Sequence, residues 1–298
     1  MVPENPRLSI ILATTHPWPF LKTCLEILLP QCQEVGAEIL VGDSTGRALP
    51  PSFLSANNTL RYFAKPGASV FDLRAEATVR ATGNIVAWTE DHCLPAKDWC
   101  AKTLEAHECH SKAALIGGAV TNGSREAPID WANFLCTFGP LIPPFHRAPA
   151  RRAPAVANLS FKRPAIPAGP LRPGYIETVH ERRLLDAGSV VFDDTIRVSH
   201  VQSSGFWPTF AAHFHNGRST TGLLADTLST WKRVRQIAIC FVMPAELLRT
   251  SIVPMIGKEE APWLRHLPLM IGLAVAFSAG ELTGLVLNGA GKSPHRLE

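Results

Sequence analysis

A short apolar run, Ile85-Val86-Ala87-Trp88, lies between a small-residue turn at Gly83-Asn84 and the abruptly polar cluster Glu90-Asp91-His92. Four apolar residues are too few for a helix and suit a strand buried on both faces. The cluster then falls at the carboxyl end of that strand, where open α/β sheets bind their ligands. Neighbouring acids repel one another unless a cation offsets their charge. The segment therefore reads as a metal-dependent site, with a solvated strand-end turn as the plain alternative.

The first half of the chain alternates strand and helix patterns. Leu8–Ala13, Ala37–Val41, Leu60–Phe63, Ile85–Trp88 and 114–120 read as strands, and 20–33, Asp72–Ala81 and Trp99–His110 as helices. This is the βαβ rhythm of a parallel sheet covered by helices on both faces. From 127 to 173 prolines are dense and periodicity fails, which predicts long loops over a site. A helix is expected again over 176–187, ended by Gly188, then strands at 190–192 and 196–200.

Two long apolar stretches, 237–256 and 267–287, close the chain, each interrupted by charges or helix breakers such as Pro244, Glu246, Arg249 and Glu281. A charge at mid-bilayer costs roughly 2.5–3.5 kcal/mol on insertion scales. A re-entrant or interfacial helical hairpin is therefore expected in preference to two full spans. The basic Lys232-Arg233-Val234-Arg235 ahead of it suits an anionic cytoplasmic leaflet. A hairpin buried against the main domain or against a second copy of the chain fits the same pattern. The expected division is thus 1–225 for the α/β domain and 226–298 for a membrane-associating or oligomerising segment.

With 46% hydrophobic residues in 298, the chain has ample material for a core, and a net charge of +4 is no nucleic-acid signature. Seven cysteines without a CxxC pair, and no secretory signal before the first strand, lead to the expectation of a reducing cytoplasm. His92, Cys93, Cys100, His107, Cys109 and His110 are close in sequence, but their spacing matches none of the usual structural zinc patterns. There is no G-x-x-x-x-G-K-[ST] phosphate loop and no G-x-S-x-G elbow, which speaks against P-loop phosphotransferases and Ser-His-Asp hydrolases.

From Arg7 to Arg218 the order of motifs resembles the family 2 glycosyltransferases of bacterial cell envelopes. The first strand leads into Thr14-Thr15-His16-Pro17, a second ends in Asp43-Ser44-Thr45-Gly46, Arg74 follows on a helix, and Glu90-Asp91-His92 stands where the family carries its acidic D-x-D motif. The resemblance implies a GT-A fold, a Rossmann-like, mostly parallel sheet flanked by helices, here with a C-terminal hydrophobic helical hairpin. It implies that Thr14, Thr15, His16, Asp43, Arg74, Glu90, Asp91, Asn158 and Arg218 bind the nucleotide sugar. Taken alone, Asp43 suits an Asx turn equally well. Asp91, His92 and His200 would hold the metal. The final position of the motif is usually Asp, and an imidazole there tilts the choice between Mg²⁺ and Mn²⁺ towards manganese.

The family's catalytic base lies about eleven positions before a helix-ending glycine, which lands on Glu177, and the usual acidic pair is reduced to that single acid. A carboxylate at a helix N-terminus is expected to stay ionised; Glu181 and His180 are the fallback bases. The implied activity is inverting transfer from a UDP- or GDP-type sugar to a hydroxyl of a lipid-linked or cell-envelope glycan, at the inner face of the membrane, with a homo-oligomer as one expected arrangement. A catalytically degenerate sugar-binding scaffold and a nucleotidyltransferase are the alternatives.

Overall fold

The computed structural model describes residues 6–16, 18, 21–46, 49–144, 153–202, 204–225 and 228–296; the expected Pro17 and Phe20 lie outside them. The chain forms two compact units, 1–121 with 143–201, and 122–142 with 202–298. The expected boundary at 225/226 falls inside the second unit, because the histidine-rich segment before it is a helix of that unit and 122–142 joins it too.

The first unit is built on β1 (Leu8–Thr14), β2 (Ala37–Asp43), β3 (Leu60–Ala64) and β4 (Ile85–Glu90), which pair in parallel in the order β3-β2-β1-β4. Every residue of β1 and β2 is buried, as a central parallel strand covered on both faces requires. The connections are α1 (Lys22–Val35), α2 (Pro51–Ala56) and α3 (Val70–Arg80). The start of α3 is set by a capping box, in which the Ser69 hydroxyl accepts from the Asp72 amide and the Asp72 carboxylate accepts from the Ser69 amide.

Beyond β4 the sheet changes character. β5 (Cys93–Pro95), α4 (Trp99–Cys109), β6 (Leu115–Asn122), β7 (Leu159–Lys162) and β8 (Val190–His200) complete an eight-stranded sheet of order β3-β2-β1-β4-β7-β6-β8-β5. β7 runs antiparallel to both β4 and β6, and β5 runs antiparallel to β8. The sheet is therefore mixed, with β6 running in the direction of the parallel four and β7 against them. β7 enters it without a βαβ crossover, so nothing obliges it to run with β4. The two strands expected in 190–200 are one, continuous through Asp193-Asp194. The expected helix over 176–187 is a π-helical turn, Ile176–His180, continued by α6 (Glu181–Asp186).

The second unit is helical: α5 (Pro128–Phe138), α7 (Phe206–Gly222), α8 (Thr230–Cys240), α9 (Met243–Ile252) and α10 (Trp263–Val286). α5 lies where loops were expected. Pro128 at its first turn starts the helix instead of breaking it, and Ile129, Ala132, Phe134, Leu135 and Phe138 form its buried face. α10 is long and apolar enough to cross a membrane by length and composition, and α8 with 243–255 passes the same test as a pair bent by 65°. The expected hairpin between the two apolar stretches is not the tightest pairing. α10 lies along α7, where a Cβ added at Gly280 would sit 1.9 Å from the Phe214 carbonyl oxygen and one at Gly217 would sit 2.0 Å from that of Phe277. Only glycine permits backbones so close.

Near the amino ends of the parallel strands, Glu38 of β2 is fully buried. Its Oε1 accepts from Ser9 Oγ (2.6 Å), the Thr82 amide (2.7 Å) and Thr82 Oγ1 (2.7 Å), and its Oε2 from Arg61 Nη1 (2.9 Å). One carboxylate thus ties β1, β2, β3 and the turn into β4. Burial alone would push this carboxyl up; the hydrogen bonds from Ser9, Arg61 and Thr82 outweigh it and hold it below its ordinary value. A depressed folded-state value contributes stability that is present above the unfolded-state value and lost as pH falls through the folded one. Glu38→Gln should cost about 2 kcal/mol at neutral pH and make stability less sensitive to acid, as read from denaturant unfolding at pH 7 and pH 3. A loss that is the same at both pH values would contradict this role.

Candidate active site

Strand register brings the polar cluster together. Ala13 of β1 pairs with Glu90, and Thr14 pairs with Asp43 on the other side, so the carboxyl ends of β2, β1 and β4 lie side by side. After the turn at Asp91-His92 the chain enters β5, where Cys93 pairs with His200 and the Val201 amide donates to the His92 carbonyl (3.1 Å). The end of β8 is thereby held against the acidic turn.

Three imidazoles and two carboxylates meet there. His92 Nε2 lies 2.9 Å from His200 Nε2, and these atoms are 3.6 and 3.5 Å from Glu90 Oε2. Asp91 faces the other way: its Oδ1 is 2.8 Å from His92 Nδ1, and its Oδ2 is 3.0 Å from His16 Nδ1 and accepts from Thr14 Oγ1 at 2.5 Å. A carboxylate only accepts, so His92 donates through Nδ1, and its Nε2 faces His200 and Glu90. Glu90, His92 and His200 form one compact donor group, and His16, Asp91 and His92 another.

Burial raises the cost of ionising Glu90 and Asp91, but the surrounding hydrogen bonds and positive charges win. Histidines 200 and 92 with Arg74 bring the Glu90 carboxyl down to about 2, and His16 and His92 hold that of Asp91 well below the usual carboxylate range. Both are ionised at neutral pH. Burial lowers the His200 imidazole, which favours the neutral form that a metal needs.

Arg74 carries the cluster into a second group of acids. Its Nη2 donates to Glu90 Oε1 (3.0 Å) and its Nη1 is 4.0 Å from Glu177 Oε1. Glu177 sits in the π-helical turn, a local form that occurs often at functional sites. Burial pushes its carboxyl above the ordinary value, and Arg74 only partly offsets that. Glu181 is pushed well above its ordinary value by burial and by Glu177. Among the described residues, the Oε1 atoms of both have no hydrogen-bond partner. His180, the other fallback, lies with its ring 6.2 Å from those of Tyr175 and Phe161.

Of the remaining expected residues, Asp43 and Thr15 lie at the neighbouring strand ends, and Asn158 and Arg218 fall elsewhere. Asp43 makes the Asx turn, accepting from the Thr45 amide (2.6 Å), and also accepts from the Tyr62 hydroxyl (2.8 Å). Asn158 is a strand lock, not an exposed sugar donor. It is almost fully buried, with Oδ1 accepting from Trp99 Nε1 (2.9 Å) and Nδ2 donating to the carbonyls of Ala119 and Ile196. Both donor hydrogens of its amide are thereby used. Thr15 follows β1 directly. Arg218 lies on α7 in the second unit, as do His213, bonded to Asn133, and His215, bonded to Ser293. Glu90 joins His92 and His200 in one donor group, and Asp91 stands with His92 and His16 in the other, where its oxygens also orient His92, His16 and Thr14.

No protein-family model matches the sequence, and no curated protein does. Solved structures do match in shape. The mannosyltransferase PcManGT from Pyrobaculum calidifontis, solved in complex with GDP-Man and Mn²⁺, is similar over 94% of this chain and 88% of its own, with a TM-score of 0.55 and 16% identity. TarS (1–349) of S. aureus is similar over 93% of this chain and 90% of its own, with a TM-score of 0.46 and 8% identity.

Removing Arg74 leaves Glu90 beside two other buried acids with no guanidinium between them. Arg74→Ala should therefore lower stability by about 3 kcal/mol, with Arg74→Lys recovering part of it, as measured by denaturant unfolding in metal-free buffer. A loss below about 1 kcal/mol would show that the acids do not depend on it. With this site at the carboxyl ends of its strands and that likeness across nearly the whole chain, the protein has the fold of a glycosyltransferase.

Proposed function

We propose that the chain is a GT-A, family 2 type glycosyltransferase that uses a divalent metal, moves a sugar from a nucleoside-diphosphate donor to an acceptor hydroxyl, and inverts the anomeric centre. The observation that carries this reading is the continuity from the donor group Glu90, His92 and His200, through Arg74, to the buried Glu177.

The residues suit a divalent metal. Separations of 2.9–3.6 Å among the donor atoms match the edge of about 3 Å of an octahedron with bonds near 2.1 Å. Two imidazoles with one carboxylate favour Mn²⁺ over Mg²⁺, and PcManGT was solved with Mn²⁺. When bound, the ion neutralises charge on the departing diphosphate. Asp91 fixes the tautomer and the angle of His92, a role in which a carboxylate also raises the basicity of the imidazole. Arg74 keeps the Glu90 carboxylate turned so that Oε2 faces the histidines. Glu177 accepts the acceptor's hydroxyl proton as that oxygen forms its bond to the anomeric carbon; the bond from that carbon to the diphosphate oxygen breaks on the opposite face. A carboxyl raised by burial is the better base near neutral pH. Thr14, Thr15, His16 and Asp43 lie at or beside the same strand ends and are proposed to line the nucleotide.

In Mn²⁺-dependent transfer assays with a panel of UDP- and GDP-sugars, one donor should be consumed. Glu177→Gln should leave its binding intact and cut turnover by roughly 10²–10⁴-fold. Full activity in that variant, with the loss found in Glu181→Gln, would move the base one turn along. If no donor binds with either Mn²⁺ or Mg²⁺, the reading fails.

Association with the cytoplasmic face of a membrane, and with it a lipid-linked or envelope acceptor, is supported by the second unit. Trp207, Trp231, Phe241, Val242, Ile256 and Leu264 are all more than half exposed there, beside the basic Lys232-Arg233-Val234-Arg235. Such exposure marks a membrane or protein contact. The wild-type chain should sediment with anionic vesicles, and Trp231→Ser with Phe241→Ser should weaken this at least tenfold. Dimerisation without vesicle binding would assign the same surface to a second copy of the chain.

A further inference from the structure

The second unit holds a cavity of about 200 Å³ lined by Arg125, Glu126, Pro128, Trp131, Pro262, Arg265 and His266. Two helices begin at it: Pro128 and Trp131 lie in the first turn of α5, and Arg265 and His266 in that of α10. The positive ends of both helix dipoles are therefore close to the space.

The side chains supply independent observations. His266 is only 5% exposed, with its ring stacked on Trp131 (centroids 6.0 Å apart, 12° between planes). Stacking covers a face and leaves the nitrogens at the ring edge, and among the described residues neither nitrogen has a hydrogen-bond partner. Arg125 is anchored, with Nε donating to the Asn122 carbonyl (2.9 Å) and its guanidinium carbon 5.9 Å from the centre of the Trp131 ring. Among the described residues, no carboxylate lies within ion-pair distance of Arg125 or Arg265, Glu126 included. Two guanidinium groups without counter-charges, a withdrawn imidazole and two helix N-termini share one small space.

We propose that this cavity binds a phosphate or diphosphate group. The forked guanidinium groups suit the geometry of such an anion. The volume is below the 300–1,000 Å³ of sites that enclose drug-sized ligands, so the cavity takes the anionic group and not a whole nucleotide sugar. That group has two sources, a free anion or the headgroup of a lipid. The site is independent of the donor reading, since all its lining residues belong to the second unit.

Isothermal calorimetry of the full chain with pyrophosphate, in EDTA to keep metals out of the histidine cluster, tests this. A second arm measures sedimentation with phosphatidylcholine vesicles with and without phosphatidic acid. Arg125 and Arg265 are exposed, so their alanine variants should keep the wild-type melting temperature. Binding of pyrophosphate that falls about tenfold to hundredfold in Arg125→Ala and in Arg265→Ala supports the site with a free anion. Selective binding to phosphatidic acid vesicles, lost in the same variants without effect on neutral vesicles, supports it with a lipid headgroup. Absence of both, or binding that neither variant changes, overturns it.

Discussion

The pairing of Cys93 with His200 is the constraint on which the candidate site depends. It joins the last strand of the first unit to the short strand that follows the acidic turn, across 108 positions of sequence between His92 and His200. Without it, Glu90 and His92 would be two polar residues at a strand end. With it, two imidazole nitrogens and a carboxylate oxygen meet in a buried space. The ionised state of Glu90, the orienting task of Asp91 and the reach of Arg74 towards Glu177 all follow from that meeting.

The cluster concentrates charge that a protein interior would otherwise reject. Two carboxylates are held ionised by neighbouring cations and imidazoles, while two further acids, Glu177 and Glu181, are pushed up by the same burial. Environments that drive carboxyl groups apart in this way allow one to hold a cation while another takes up a proton. Arg74 stands between the two kinds and touches both.

Much of the first unit was legible in the sequence, because its parallel strands are continuous apolar runs ended by polar residues. Glu90, Asp91 and His92 stood out for that reason. β8 did not read as one strand, since Asp193-Asp194 interrupts its apolar pattern; yet Asp193 is nearly buried within it, its Oδ1 accepting from Thr195. α5 was hidden by the proline that starts it. The antiparallel entry of β7, the register of β5 on β8 and the grip of Asp91 on His16 are long-range pairings with no local signal. Asn158 illustrates the reverse error, where a polar residue suggested a ligand contact and the fold uses it to lock three backbone segments.

The central claim is that histidine nitrogens, and not oxygens alone, hold the metal in this fold. Electron spin-echo spectroscopy of the Mn²⁺-loaded protein measures this directly, through the coupling of ¹⁴N to the ion. Two coordinated imidazole nitrogens are predicted for the wild type, falling to one in His200→Ala. A spectrum without nitrogen coupling, or one that His200→Ala leaves unchanged, would contradict the account.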